Sequence, residues 1–81
     1  MTFELREELE RIAWELADGV IDEIAISAIV RMATRLHVVP VATGVLADTS
    51  ASYIVRCRAF GEVATAIAAV PTASQIRSGA A

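Results

Sequence analysis

Apolar residues recur at helical spacing from the first residues of the chain. The first stripe repeats at four, three and four residues and consists of Leu5, Leu9, Ile12 and Leu16. Thr2 precedes the stripe as a candidate N-cap, and Gly19 follows it as a candidate stop. The pattern predicts a first helix over about residues 3–18.

A second apolar pattern begins directly after Gly19. Its predicted buried face comprises Ile21, Ile24, Ala25, Ala28, Ile29, Met32 and Leu36. Its polar edge repeats every four residues and comprises Glu23, Ser27, Arg31 and Arg35. The β-branched residues leave a strand as the alternative, but the 3.6-residue period fits better and predicts a helix over residues 20–37.

The next segment is interrupted by Pro40 and Gly44, which argue against one long helix. We expect a short irregular or short-helical connection over residues 38–48. Candidate caps for a third helix follow at Asp48, Thr49 and Ser50, and Pro71 stops that helix near Val70. Residues 1–70 therefore form one predicted all-α, three-helix domain, and residues 71–81 form a predicted flexible C-terminal tail.

The third helix is apolar around most of its circumference. Its two apolar stripes are Tyr53, Cys57, Phe60, Ala64 and Ile67 on one side, and Val55, Ala59, Val63, Ala66 and Val70 on the other. Two neighbouring helices cannot cover both stripes, so the pattern predicts a contact with a second subunit or another partner. The predicted self-association residues are Tyr53, Cys57, Phe60, Gly61, Ala64 and Ala68.

Composition points the same way. Hydrophobic residues make up 56% of the 81 residues, above the usual ~45–50%. Sixteen alanines account for part of this excess, and the remainder favours a homo-oligomer, with a dimer as the simplest form. The longest uncharged run is too short to span a membrane. A single cysteine, with no cationic leader, predicts a cytoplasmic protein without disulfides.

Charge is distributed unevenly. Eight of the ten acidic residues lie within residues 1–23, where two arginines reduce the net charge to −6. Residues 24–81 carry five arginines against two acids, for a net charge of +3. The chain is therefore acidic at its start and basic further along.

The first helix has a second face that does not belong to the core. On a helical wheel with Leu5 at zero, Phe3 and Trp14 fall near about 160° and 180°. Glu7 and Glu10 fall on the same side of the helix and lie between the two aromatic residues along the chain. Tryptophan beside carboxylates is typical of a surface that binds an arginine-bearing partner, so the predicted partner-binding residues are Phe3, Glu7, Glu10 and Trp14.

Two accounts of this face stay open. The basic partner surface belongs either to another protein or to a second copy, through Arg31, Arg35, Arg56 and Arg58. In the alternative account, the tail or residues 38–47 fold over Trp14 and bury it.

DNA binding is the main alternative function. Residues 33–46 loosely resemble a helix-turn-helix, and the four arginines named above could form a basic patch. However, His37 stands where that motif normally has glycine, and the would-be recognition segment has no side chain suited to reading bases. An acidic protein also lacks the general attraction to phosphate.

Catalysis and metal binding have weaker support. Cys57 and His37 are the single thiol and imidazole, and Cys57 lies in an apolar helix, as an inert core cysteine would. Glu4, Glu7 and Glu8 share a helix flank without a matching set of ligands elsewhere. We expect no enzyme activity, no metal and no cofactor.

The sequence thus predicts a protein–protein interaction module. Two roles stay open within that class. One is an assembly subunit that acts by self-association. The other is a small inhibitor or adaptor, of the kind that phages and mobile elements encode, whose acidic face binds an arginine-rich site on a larger protein. A nucleic-acid-binding site is one form that this target takes.

Overall fold

The computed structural model describes residues 2–70, which contain four α-helices and no strand. The helices are α1 (Phe3–Ala17), α2 (Glu23–Leu36), α3 (Pro40–Ala47) and α4 (Tyr53–Ala69). The predicted all-α class is confirmed, and the connection around residues 38–48 takes its short-helical form as α3. The predicted tail lies outside the described residues. None of the four helices combines the length and apolar character that a membrane crossing requires.

The ends of α1 follow from two residues. Thr2 caps the helix, because its side-chain oxygen accepts a hydrogen bond from the Leu5 amide at 3.1 Å. Gly19 has a φ of 82°, the left-handed conformation that glycine adopts without strain. It allows the Val20 amide to bond the Glu15 carbonyl at 2.8 Å, a Schellman closure that turns the chain toward α2.

Helix α2 begins three residues later than the sequence pattern predicts. Asp22 is its N-cap and accepts a hydrogen bond from the Ala25 amide at 3.1 Å. His37 ends the helix with a φ of 58°, and the Val38 amide bonds the Ala33 carbonyl at 3.2 Å. A left-handed residue therefore stands where the helix-turn-helix motif normally has glycine, and here the residue is histidine.

Helix α3 begins at Pro40, which needs no amide partner at the first helical position. Val39, just before it, has a φ of 33°, a strained conformation for a β-branched residue. The buried Thr43 side chain donates to the Val39 carbonyl at 3.0 Å and holds this turn.

The predicted caps of the last helix lie too early in the chain. Ser52, rather than Asp48, Thr49 or Ser50, caps α4 by accepting a hydrogen bond from the Val55 amide at 3.3 Å. Asp48 instead closes a local turn, in which its carboxylate accepts from the Ser50 amide at 2.9 Å.

One hydrophobic core joins all four helices. Helix α3 packs between α2 and α4, while α1 lies mainly against α4. The core residues are Leu9, Ile12, Leu16, Ala25, Ile26, Ile29, Ala33, Ala42, Leu46, Ala59, Phe60, Val63 and Ile67. The predicted stripe of α1 is confirmed, because three of its four members are in this core and Leu5 packs against it.

The predicted face of α2 is confirmed in part, and the buried face is rotated relative to it. The predicted members that are in the core or pack against it are Ile21, Ala25, Ile29 and Met32. Ile24 is 85% exposed, whereas Ile26, which was not assigned to the buried face, is 1% exposed. The helix is apolar over more than half its circumference, so periodicity alone does not select its buried side. Glu23, in the first turn of α2, forms an ion pair with a residue of α4.

The α4 residue in that ion pair is Arg56, which is only 3% exposed. Its guanidinium donates to the Leu46 carbonyl at 2.9 and 3.1 Å, and to both Glu23 carboxylate oxygens at 2.7 and 2.8 Å. These bonds hold α2, α3 and α4 together. They also correct the predicted basic patch of Arg31, Arg35, Arg56 and Arg58, because Arg56 is not available at the surface.

We expect Arg56→Leu to lower the free energy of unfolding by about 1.5–3 kcal/mol, since it removes charged hydrogen bonds and leaves the Leu46 carbonyl without a donor. Arg56→Lys should lose less, because it keeps one charged donor but not the bidentate fork. Urea denaturation followed by circular dichroism measures both. The matched control is Arg58→Leu on the exposed side of α4, expected within about 0.5 kcal/mol of the parent. Equal losses at the two arginines would contradict this role for Arg56.

Candidate interaction surfaces on α1 and α4

Helix α1 presents four different surfaces around its circumference. One side carries the core residues. Going around the helix, the next surface borders an open groove, the third carries Phe3 and Trp14, and the fourth carries Arg11 with its carboxylate partners. The last three surfaces determine what α1 offers to another molecule.

The Arg11 cluster consists of Arg11, Glu8, Glu15 and Asp22. The guanidinium contacts Glu8 in a very short ion pair, Glu15 at 2.6 Å and Asp22 at 3.4 Å. The hydrogen bond with Glu8 is the main cause that raises the pKa of Arg11. The same bond lowers the pKa of Glu8, and the Ala25 amide, followed by Arg11, lowers the pKa of Asp22. Three of the acidic residues are therefore engaged within the fold.

The acidic aromatic face consists of Phe3, Glu7, Glu10 and Trp14. Phe3 is 70% exposed and Trp14 is 72% exposed. Glu7 and Glu10 are exposed between them and form no ion pair with any residue from 2 to 70. Residues 38–47 do not cover Trp14, because α3 packs against α2 and α4 instead. That part of the burial account is wrong, and its other part, the tail, falls outside the described residues.

An open groove of about 810 Å³ runs between α1 and α4. It forms because α1 covers α4 with a single apolar stripe, while α4 is apolar on a broader arc. All six predicted self-association residues line the α4 side, and they are Tyr53, Cys57, Phe60, Gly61, Ala64 and Ala68. The α1 side is lined by Arg6, Leu9, Glu10, Ala13, Leu16 and Ala17. Glu10 thus belongs both to the groove and to the acidic aromatic face.

Small residues keep the groove open. A Cβ atom added to Gly61 would meet no atom of residues 2–70 within 4 Å other than its chain neighbours and the backbone of α4, so this part of the fold has no steric need for glycine there. Near the other end of the groove, a hydrogen bond with Cys57 is the main cause that raises the pKa of the Tyr53 hydroxyl. The groove surface is otherwise apolar apart from Thr65 and two charged residues on α1.

A short turn at residues 37–39 joins α2 and α3 within the segment 33–46 that loosely resembles a helix-turn-helix. Helix α3 does not carry the chemistry expected of a recognition helix. Val41 is 81% exposed on its outer side, next to the exposed Gly44, and its polar Thr43 points into the fold. None of these side chains can make a bidentate contact to a base edge.

Cys57 and His37 lie in different cavities. Cys57 borders the α1–α4 groove, and His37 borders a separate cavity of about 430 Å³ between α2 and α3. The three glutamates Glu4, Glu7 and Glu8 do not converge. Over residues 2–70, no group of three or more metal-ligating side chains comes together.

No protein-family model, curated protein or solved structure matches this chain.

Two residues have roles that the sequence analysis does not assign to them. Arg56 continues the buried stripe of Ala59, Phe60, Val63 and Ile67 at helical spacing, so the wheel contained a signal for its burial. Arg6 borders the groove because α4 lies beside it. That neighbour relation is tertiary, and the sequence pattern carries no signal for it.

The exposure of Trp14 is testable by fluorescence, since it is the one tryptophan in the chain. We expect emission close to that of a solvated indole and efficient quenching by acrylamide. Cs⁺ should quench more than I⁻, because Glu7 and Glu10 create a local negative potential. The difference should narrow when Glu7→Gln and Glu10→Gln are combined. Resistance to acrylamide would show that Trp14 is covered.

Proposed function

We propose that this protein acts by protein–protein contact, as a small inhibitor or adaptor that binds a larger protein through the acidic aromatic face of α1. The observation that supports this most strongly is the exposure of two large aromatic side chains, Phe3 and Trp14, on one helix face. Burying such residues against a partner supplies a large share of the energy in many protein interfaces.

The charges on this face favour a basic partner surface. The Arg11 cluster engages Glu8, Glu15 and Asp22 on another side of the helix. Glu7 and Glu10 remain beside the aromatic rings, where an incoming arginine could pair with a carboxylate and stack on Trp14. An arginine-rich site that ordinarily binds phosphate groups has the matching chemistry, and there the two carboxylates would take the place of phosphates.

The two roles within this proposal differ in what happens to the target, and the inhibitor role makes the more specific claim. A target that binds nucleic acid through these arginines would release the nucleic acid when α1 occupies them. An adaptor would leave the target's activity intact and join it to a second protein. Both versions use the same residues on α1 and differ in what the partner does afterwards.

DNA binding is the second candidate, and the α2–α3 turn favours it. The exposed side of α3 argues against it, since Val41 and Gly44 offer apolar contact without base readout. The burial of Arg56 also removes one of the four arginines that could contact phosphates. Arg31, Arg35 and Arg58 remain exposed.

Affinity capture from the source cell tests the main proposal. We expect the full-length protein to retain a defined set of proteins, and Trp14→Ala combined with Glu7→Arg to reduce that retention at least about tenfold, since truncating a central aromatic residue often costs 2 kcal/mol or more. Mass spectrometry measures the retained set, and circular dichroism checks that the helices are intact.

The matched control is Ile24→Ala, because Ile24 is a large apolar residue that is 85% exposed on α2. It should retain the same proteins as the parent. Equal retention by the α1 variant and the parent would refute the proposed binding face. Loss of helical signal in the α1 variant would show instead that Trp14 supports the fold, and this too counts against the proposal.

A separate measurement decides the DNA alternative. We expect no binding of the parent protein to duplex DNA at low salt, where electrostatic attraction to phosphate is strongest. Fluorescence anisotropy with a labelled duplex measures this. Binding that Arg31→Glu combined with Arg35→Glu abolishes would favour the alternative over protein contact.

A further inference from the structure

The rim of the α1–α4 groove carries one positive and one negative side chain, Arg6 and Glu10. Such a rim is complementary to itself when two copies meet around a two-fold axis. We propose that a second copy of this chain fills the groove, in a two-fold symmetric dimer in which Arg6 contacts Glu10 of the partner subunit and Glu10 contacts Arg6 of the partner subunit. This inference goes beyond the proposed function and does not depend on it.

The groove has the properties of an uncovered helix contact. Phe60, Ala64 and Ala68 provide an apolar floor on α4, and Leu9 and Ala13 continue it on α1. Gly61 lies in that floor, and apart from its chain neighbours and the backbone of α4, no atom of residues 2–70 lies within 4 Å of the position a Cβ would take. Glycine destabilises a helix interior relative to alanine, and no contact among residues 2–70 accounts for it. A helix that approaches closely from outside does account for it.

The charges identify the occupant as a second copy. Arg6 and Glu10 are four residues apart on α1, in the order that pairs less favourably within a helix. Over residues 2–70 neither forms an ion pair. A basic partner would match a rim of acids alone, whereas this rim has no net charge. Two-fold symmetry uses both side chains and forms each pair twice.

The dimer contact and the proposed partner face lie on adjacent sectors of α1. Trp14 and Glu7 do not line the groove, so they remain available when two copies meet there. Glu10 lies at the boundary of the two surfaces. A variant of Trp14 and Glu7 therefore tests the partner face, while a variant of Gly61 tests the dimer, and either proposal can fail without the other.

Light scattering on the full-length protein, as it elutes from a size-exclusion column, measures the number of subunits. We expect twice the mass of one chain for the parent and the mass of one chain for Gly61→Leu, whose added side chain enters the open groove. The matched control is Gly44→Leu on α3, where an added Cβ also meets no atom within 4 Å. This control should remain dimeric, and circular dichroism should show intact helices in both variants.

A charge exchange tests the symmetry of the contact. Arg6→Glu alone and Glu10→Arg alone should each weaken the dimer at least about tenfold, because each places like charges together twice. An equal mixture of the two variants should form a heterodimer, since every rim contact then joins an acid to an arginine. Combining both substitutions in one chain should also restore the dimer.

Three outcomes would overturn the proposal. The first is a parent protein that remains monomeric over the measured concentration range, and the second is a Gly61→Leu variant that stays dimeric. The third is a mixture of the two charge variants that remains monomeric while the parent forms a dimer, which would place the contact elsewhere.

Discussion

The buried guanidinium of Arg56 joins three helices that have no other polar connection of this strength. It reaches the last turn of α3 through the Leu46 carbonyl and the first turn of α2 through the Glu23 carboxylate. A fully buried charge is costly, but Glu23 is about half exposed, so only one member of the pair has left water completely. Because it connects three helices, the interaction constrains how they are arranged as well as contributing to stability.

Helix α1 is held to the rest of the fold by a different set of contacts. Leu9, Ile12 and Leu16 pack one stripe into the core, and the Arg11 cluster joins the helix to the start of α2. The rest of its circumference meets no other helix of residues 2–70. This is why the surfaces of interest collect on one element: the helix that is least enclosed by the fold carries the exposed aromatic residues and one wall of the groove.

Sequence patterns predict an element well when one side is apolar and the other is charged. The α1 stripe, its Thr2 cap and its Gly19 stop meet that condition, and so does the outward position of Phe3 and Trp14. Helix α2 does not meet that condition, because its apolar residues cover too wide an arc. Its ion pair joins Glu23 to Arg56, which lies 33 residues further along the chain and is not part of the local pattern. The groove could be predicted from the sequence only in part. Its α4 residues follow from periodicity, but Arg6 and Glu10 at its rim depend on how two helices lie together, and the binding roles of all these residues stay proposals.

The short length of α3 has a consequence for how the chain folds. A helix of eight residues is not stable in isolation. Its last turn is held by an arginine ten residues further along the chain, and that arginine is itself held by a glutamate in α2. The α2–α3 turn, with left-handed residues at His37 and Val39, therefore depends on α4 as well as on its own residues. Helix α3 packs between α2 and α4, so the most motif-like part of the molecule owes its shape to contacts from both sides rather than to the stability of its own short helix.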